Sequence, residues 1–132
     1  MIGVCLGLAG VIWAQLPVGA FSLAWEHSVE KVRWEEDYQV RGRELYLAEA
    51  RVQGSGAGME MPAGARLDRG FWHYRPQLIL PLLRLGRTPE AGDYQLCQAA
   101  GCRPMSDWLG APDAALPVVE VWGCDVGLDE RL

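Results

Sequence analysis

The sequence predicts an all-β fold, a small antiparallel sandwich or open barrel with at most one short helical turn. Three observations predict it: apolar and polar residues alternate with period two in several segments, 16 Gly and 8 Pro punctuate 132 residues, and no convincing run holds a helical period. The length suits one domain with a real core.

The chain opens with "MIGVCLGLAGVIWAQLPVGAFSLAW", in which no side chain is charged before Glu26. Residues 1–14 read as a signal-peptide-like or anchoring apolar segment, with Ala14 a small residue at a cleavage point before Gln15, although the positive start of a leader is missing. A first strand buried in the domain is the alternative. The single all-β domain is then expected over 15–132, with membrane association through the N-terminus.

Strands follow. "FSLAWEH" puts Phe21, Leu23, Trp25 and His27 on one face, "WEEDYQV" puts Trp34, Glu36, Tyr38 and Val40 together, and "ELYLAEAR" continues with Leu45, Leu47, Glu49 and Arg51. Gly42 suits the first central position of a two-residue hairpin loop. Later come "GFWHYRP", "LILPLLRL", "DYQLC", "CRPM" and "PVVEVW", with one helical turn in "SDWLG" capped by Ser106.

With Gly42 and Arg43 as the loop, Val40 pairs with Leu45, Tyr38 with Leu47, Glu36 with Glu49 and Trp34 with Arg51. Closing "SVEKVR" places His27 opposite Trp34 and Trp25 opposite Glu36. This register gathers His27, Glu36, Glu49 and Arg51 at one end of an apolar face. Carboxylates that close repel unless Arg51, a protonated His27, a shared proton or a metal ion offsets them. One reading is a satisfied structural network that fixes strand register. The other is a site for a cation or polar ligand, with His27, Glu36 and Glu49 as candidate donors. No catalytic constellation stands out, because Ser28 beside His27 points to the opposite face.

The glycines of "GSGAGM", residues 54–59, permit positive φ and expose backbone N–H groups, so the loop reads either as an anion cradle or as a tight connection. It lacks the Lys-Ser or Lys-Thr of a nucleotide loop. His73 reads as a histidine at the edge of the core, and the six tryptophans as core and rim.

Cys97 and Cys102 flank a four-residue loop, a separation that suits a hairpin disulfide in an oxidising compartment, whereas a zinc site would need two more soft ligands nearby. Cys124 is left over once Cys5 is assigned to the leading segment. With 12 Lys and Arg against 17 Asp and Glu, the net charge of −5 argues against a nucleic-acid partner.

Trp25, His27, Ser28, Val29, Glu30, Trp34 and Glu36 as "W-x-H-S-V-E-x-x-x-W-x-E", followed by "GSGAGM", resemble the bacterial family of domains of unknown function number 1850. The resemblance extends through "GFWHY" and the cysteine hairpin, over about residues 21 to 124. His27, Ser28, Glu30, Glu36, Ser55, Gly56 and Gly58 match its motifs. It implies a small exported or membrane-anchored domain, often encoded beside tripartite transporters of the TAXI solute-receptor type, with no established activity. The expectation is therefore a periplasmic or otherwise extracytoplasmic accessory domain. It would contact a transporter permease or solute receptor, or hold a small ligand, without a cofactor beyond a bound cation. The alternative is a metal- or anion-binding β-module independent of a transporter.

Overall fold

The computed structural model describes residues 1–26, 31–54 and 61–126. The strands run β1 (Ile2–Leu8), β2 (Val11–Leu16), β3 (Ala20–Glu26), β4 (Arg33–Arg41), β5 (Glu44–Gln53) and β6 (Arg66–Asp68). They continue with β7 (Phe71–Tyr74), β8 (Leu78–Leu80), β9 (Leu83–Gly86), β10 (Gln95–Gln98), β11 (Gly101–Pro104) and β12 (Val118–Asp125), with one helical turn, α1 (Ser106–Leu109), before the last. Met105, not Ser106, occupies the N-cap of α1, without a side-chain capping bond.

Two antiparallel sheets form the expected sandwich. The smaller has the order β2-β1-β12-β9; the larger runs β11-β10-β3-β4-β5-β7-β6, with β8 also paired to β5. Inward-pointing side chains from both sheets make one core. Val4, Leu6, Val119 and Val121 come from the smaller sheet, and Phe21, Leu23, Tyr38, Leu45, Leu47 and Leu96 from the larger. The run "LILPLLRL" is divided between the sheets, since β8 pairs with β5 and β9 with β12 on either side of Pro81. A proline suits that position because it cannot donate to a ladder. Among the described residues, no helix is long and apolar enough to cross a membrane.

The apolar leading segment is built into the sandwich. Residues 2–7 pair with β12, residues Val11–Leu16 pair back onto β1, and Val4, Cys5 and Leu6 are buried. In the structure this segment forms two strands of the small sheet, the first of them buried. Cys124 is not left over: it forms a disulfide with Cys5 across 119 positions. The Cys97–Cys102 disulfide is as expected, with the two residues directly opposed on β10 and β11.

The β4–β5 hairpin fixes the rest of the large sheet. Arg41 pairs with Glu44 across Gly42 and Arg43, and Gly42 has φ 64°, as the first central position of this turn requires. The turn rests on β12: a Cβ on Gly123 would lie 2.9 Å from the Gly42 carbonyl oxygen, so only glycine admits this approach. Val40–Leu45 and Tyr38–Leu47 pair as the sequence predicts. Between Asp37 and Tyr38 the register then shifts, because β5 carries one extra residue, Ala48, in a β-bulge. Beyond it Asp37 pairs with Glu49, Glu36 with Ala50, Glu35 with Arg51 and Trp34 with Val52.

Candidate functional site

The bulge overturns the expected gathering of Glu36, Glu49 and Arg51. After Ala48, Ala50 and Val52 take the inward positions, and Glu49 and Arg51 move to the outer face of the large sheet. Glu36 stays on the core side with Tyr38, its neighbour two positions along the strand. The β3–β4 register also departs from expectation, with Trp25 opposite Trp34 and Leu23 opposite Glu36. His27, Ser28 and Glu30 lie outside the described residues, as do Ser55, Gly56 and Gly58. Of the expected cation donors, Glu36 and Glu49 therefore face opposite sides of the sheet. Among the described residues no group of three or more His, Cys, Asp or Glu has a metal-binding arrangement.

The outer face carries two rows of side chains across the strands. In one, Cys102, Cys97, Ser22, Asp37 and Glu49 are successive cross-strand partners. In the next, Ala24, Glu35, Arg51, His73 and Arg66 follow one another. Arg51 ties the rows together. Its Nε donates to Glu35 at 2.8 Å, Nη1 donates to Asp37 and Glu49 at 2.8 Å each, and Nη2 donates to Asp37 at 2.6 Å. Arg33 donates to the second oxygen of Glu35 at 2.7 Å, and Ser22 Oγ to Asp37 at 2.7 Å. His73 Nδ1 lies 3.4 Å from Glu49.

Electrostatics follows from these contacts. Burial pushes the Glu35 carboxyl up, but the bonds from Arg33 and Arg51 outweigh it and hold the group below the ordinary range. Asp37 behaves alike: burial raises it, and the bonds from Arg51 and then Ser22 bring it down. Asp37, ahead of Glu35 and Glu49, in turn holds the Arg51 proton more firmly than an ordinary guanidinium, against the opposing effect of burial. Glu35, Asp37 and the role of His73 escaped the sequence reading. Strict alternation reads straight through the bulge, and the signal that could have found them was the pair of outward carboxylates on β4.

Two grooves open on this face. One, of about 580 Å³, is lined by Ser22, Asp37, Gln39, Tyr46, Glu49 and Arg75 among others, and Cys97, Gln98 and Ala99 border it. The second, of about 470 Å³, shares Glu49 and Arg75 with the first and adds Arg66 and His73. Arg75 is exposed and makes no ion pair among the described residues.

On the core side, the Tyr38 hydroxyl donates to Glu36 at 2.6 Å. Burial pushes the Glu36 carboxyl up, and this bond only partly offsets the shift. Tyr74 and Tyr94, raised first by their own burial, are raised further by the Glu36 charge. Trp25 stacks on Trp34, with ring centroids 6.2 Å apart. Elsewhere Arg87 and Asp93 form a buried clamp, in which Asp93 also accepts from the Tyr94 and Ser106 backbone N–H groups and Arg87 donates to the Gly110 carbonyl.

No curated protein and no solved structure matches the chain. A family model does, over residues 21–105, more than half of the chain. That span contains every strand of the large sheet with its charged outer face, and it leaves out β1, β2 and β12 of the small one. The chain belongs to the family described as Domain of unknown function (DUF1850).

Proposed function

We propose that this chain is an extracytoplasmic accessory domain that acts by binding rather than catalysis, and that it docks a subunit of a tripartite solute transporter on the outer face of its large sheet. The single observation that carries the reading is the pair of adjoining grooves on that face, bordered by exposed Arg75 and floored by side chains that Arg51 holds in place. A rigid, charged and concave surface suits recognition, because its groups are already oriented before a partner arrives. The transporter as partner rests on the resemblance of the motifs. The oxidising compartment is supported by the two disulfides. A second reading, an anion-binding module independent of a transporter, is favoured by the position of Arg66, His73 and Arg75 around one groove.

Crosslinking the tagged full-length chain in its native cells, in parallel with Arg75→Glu, tests both readings. Recovery of a permease or solute receptor with the native chain and its loss with Arg75→Glu is the expected result. Equal recovery with both chains would move the contact off this face. If neither chain recovers a transporter subunit above background, while carboxylates or phosphate raise the melting temperature of the native chain alone, the second reading stands. If no subunit is recovered and no anion shifts the melting temperature, both fail.

A further inference from the structure

The two disulfides differ in the features that govern exchange with an outside thiol. Cys5 and Cys124 are 0% and 5% exposed and pack with Val126 and Trp122 on the outer side of the small sheet. Their bond joins the first strand to the last, across 119 positions. The Cys97–Cys102 bond spans 5 positions within one hairpin, and its β11 half is an edge strand of the large sheet. Cys102 is exposed and Cys97 half-buried. Both line a cavity of about 220 Å³, and Cys97 also borders the larger groove. Exchange requires a thiolate to reach a disulfide sulfur, so access decides which bond responds.

We propose that Cys97–Cys102 is a thiol-exchange site, open to an incoming thiolate at Cys102, whereas Cys5–Cys124 is closed to exchange and holds the sandwich together. In the first step the thiolate attacks Cys102 Sγ, the Cys97–Cys102 bond breaks, and the electron pair leaves on Cys97 Sγ, which takes a proton from water. A second thiolate then attacks the donor sulfur of the mixed disulfide and releases Cys102 as a thiolate, which is protonated. Two donor thiols are oxidised to one disulfide, and the two cysteines are reduced to thiols. Opening this bond frees the Cys97–Ala99 border of the larger groove while β10 remains paired with β3. The proposal is independent of whether the face binds a transporter subunit.

The test is to expose the oxidised full-length chain to graded reduced glutathione, or to graded thioredoxin kept reduced, trap free thiols by alkylation, and quantify each cysteine by peptide mass spectrometry. Circular dichroism on the same samples reports the fold. Cys97 and Cys102 are expected to be modified at reductant concentrations roughly tenfold or more below those for Cys5 and Cys124, with the fold intact. Opening by glutathione, with the mixed disulfide on Cys102, identifies a small-molecule donor; opening by thioredoxin alone identifies a protein dithiol. Simultaneous reduction of both bonds, earlier reduction of Cys5–Cys124, or opening of Cys97–Cys102 only on unfolding would each overturn the proposal. The double variant Cys97→Ser/Cys102→Ser, with Cys5–Cys124 resisting reductant as in the native chain, is the expected control. Loss of that resistance would show that the two bonds do not act separately.

Discussion

Replacing Arg51 with Met keeps the bulk of the side chain and removes the cation that three carboxylates share. Arg51 is 18% exposed and makes four hydrogen bonds, at 2.6 to 2.8 Å, to Glu35, Asp37 and Glu49. Removing one partner of a fully buried ion pair costs about 3–5 kcal/mol, and solvent at the rim of this cluster reduces that to about 2–3 kcal/mol at pH 7. For a chain of 132 residues this lowers Tm by roughly 7–11 °C. The sign with pH follows from the carboxyl groups. Glu35 and Asp37 are held below their ordinary values in the folded chain, so their stabilisation is present above the unfolded value and lost as pH falls through the folded one. The gap between native and variant chains is therefore expected to be widest at neutral pH and to close in acid, where the carboxylates of both are protonated. Thermal melts followed by circular dichroism from pH 7 to pH 3 measure this, with Arg51→Lys, which keeps the charge but loses the fork, falling between the two. A gap that stays constant across that range would refute the electrostatic account, and no gap at pH 7 would refute the network.

Loss of the Cys5–Cys124 bond in Cys5→Ser/Cys124→Ser is expected to cost about 5 kcal/mol on the chain-entropy scale for its 119-position span, against about 2 kcal/mol for Cys97→Ser/Cys102→Ser. Urea unfolding of the two double variants measures the order, and the reverse order would contradict it. Glu36→Gln is expected to raise Tm at pH 8 and to lose the advantage by pH 4. Burial raises the folded carboxyl above its unfolded value, so ionisation weakens the native fold as pH rises, and a neutral amide escapes that loss. A lower Tm at pH 8 would show that Glu36 has a cationic partner in the native protein. Deleting Ala48 removes the bulge residue yet leaves Asp37 opposite Glu49 and Glu35 opposite Arg51, so the chain is expected to fold with a loss below about 2 kcal/mol by urea unfolding.

The ease with which such a deletion should be absorbed also marks what the sequence reveals. The inner faces of β3, β4 and the first half of β5 are legible, because alternation and Gly42 fix them together; the Cys97–Cys102 hairpin is legible for the same local reason. The leading strand is not, since an uninterrupted apolar run satisfies a leader, an anchor and a doubly buried strand equally well. Gly10 was the available clue: with Ala9 it makes a two-residue turn at positive φ, between Leu8 and Val11. The clamp between Arg87 and Asp93 closes the two ends of the loop between β9 and β10, and no periodicity carries that information.

Ala48 matters most, because it reverses the meaning of the residues that follow it. In a regular strand Leu45, Leu47, Glu49 and Arg51 share one face, and the charges would sit in the core beside Glu36. One extra small residue lets both Ala48 and Glu49 face outward, and every later side chain changes sides. The energetics favour this arrangement over the regular one. A guanidinium in the core would have to be desolvated against Trp34, whereas on the outer face it meets Glu35 and Asp37, whose own outward positions had no role in the regular register. The polar pattern of β4 therefore already argued for the bulge. Glu35 and Asp37 offer two carboxylates on the solvent side of a strand, and Arg51 is the cation on the neighbouring strand that the irregular register brings to both.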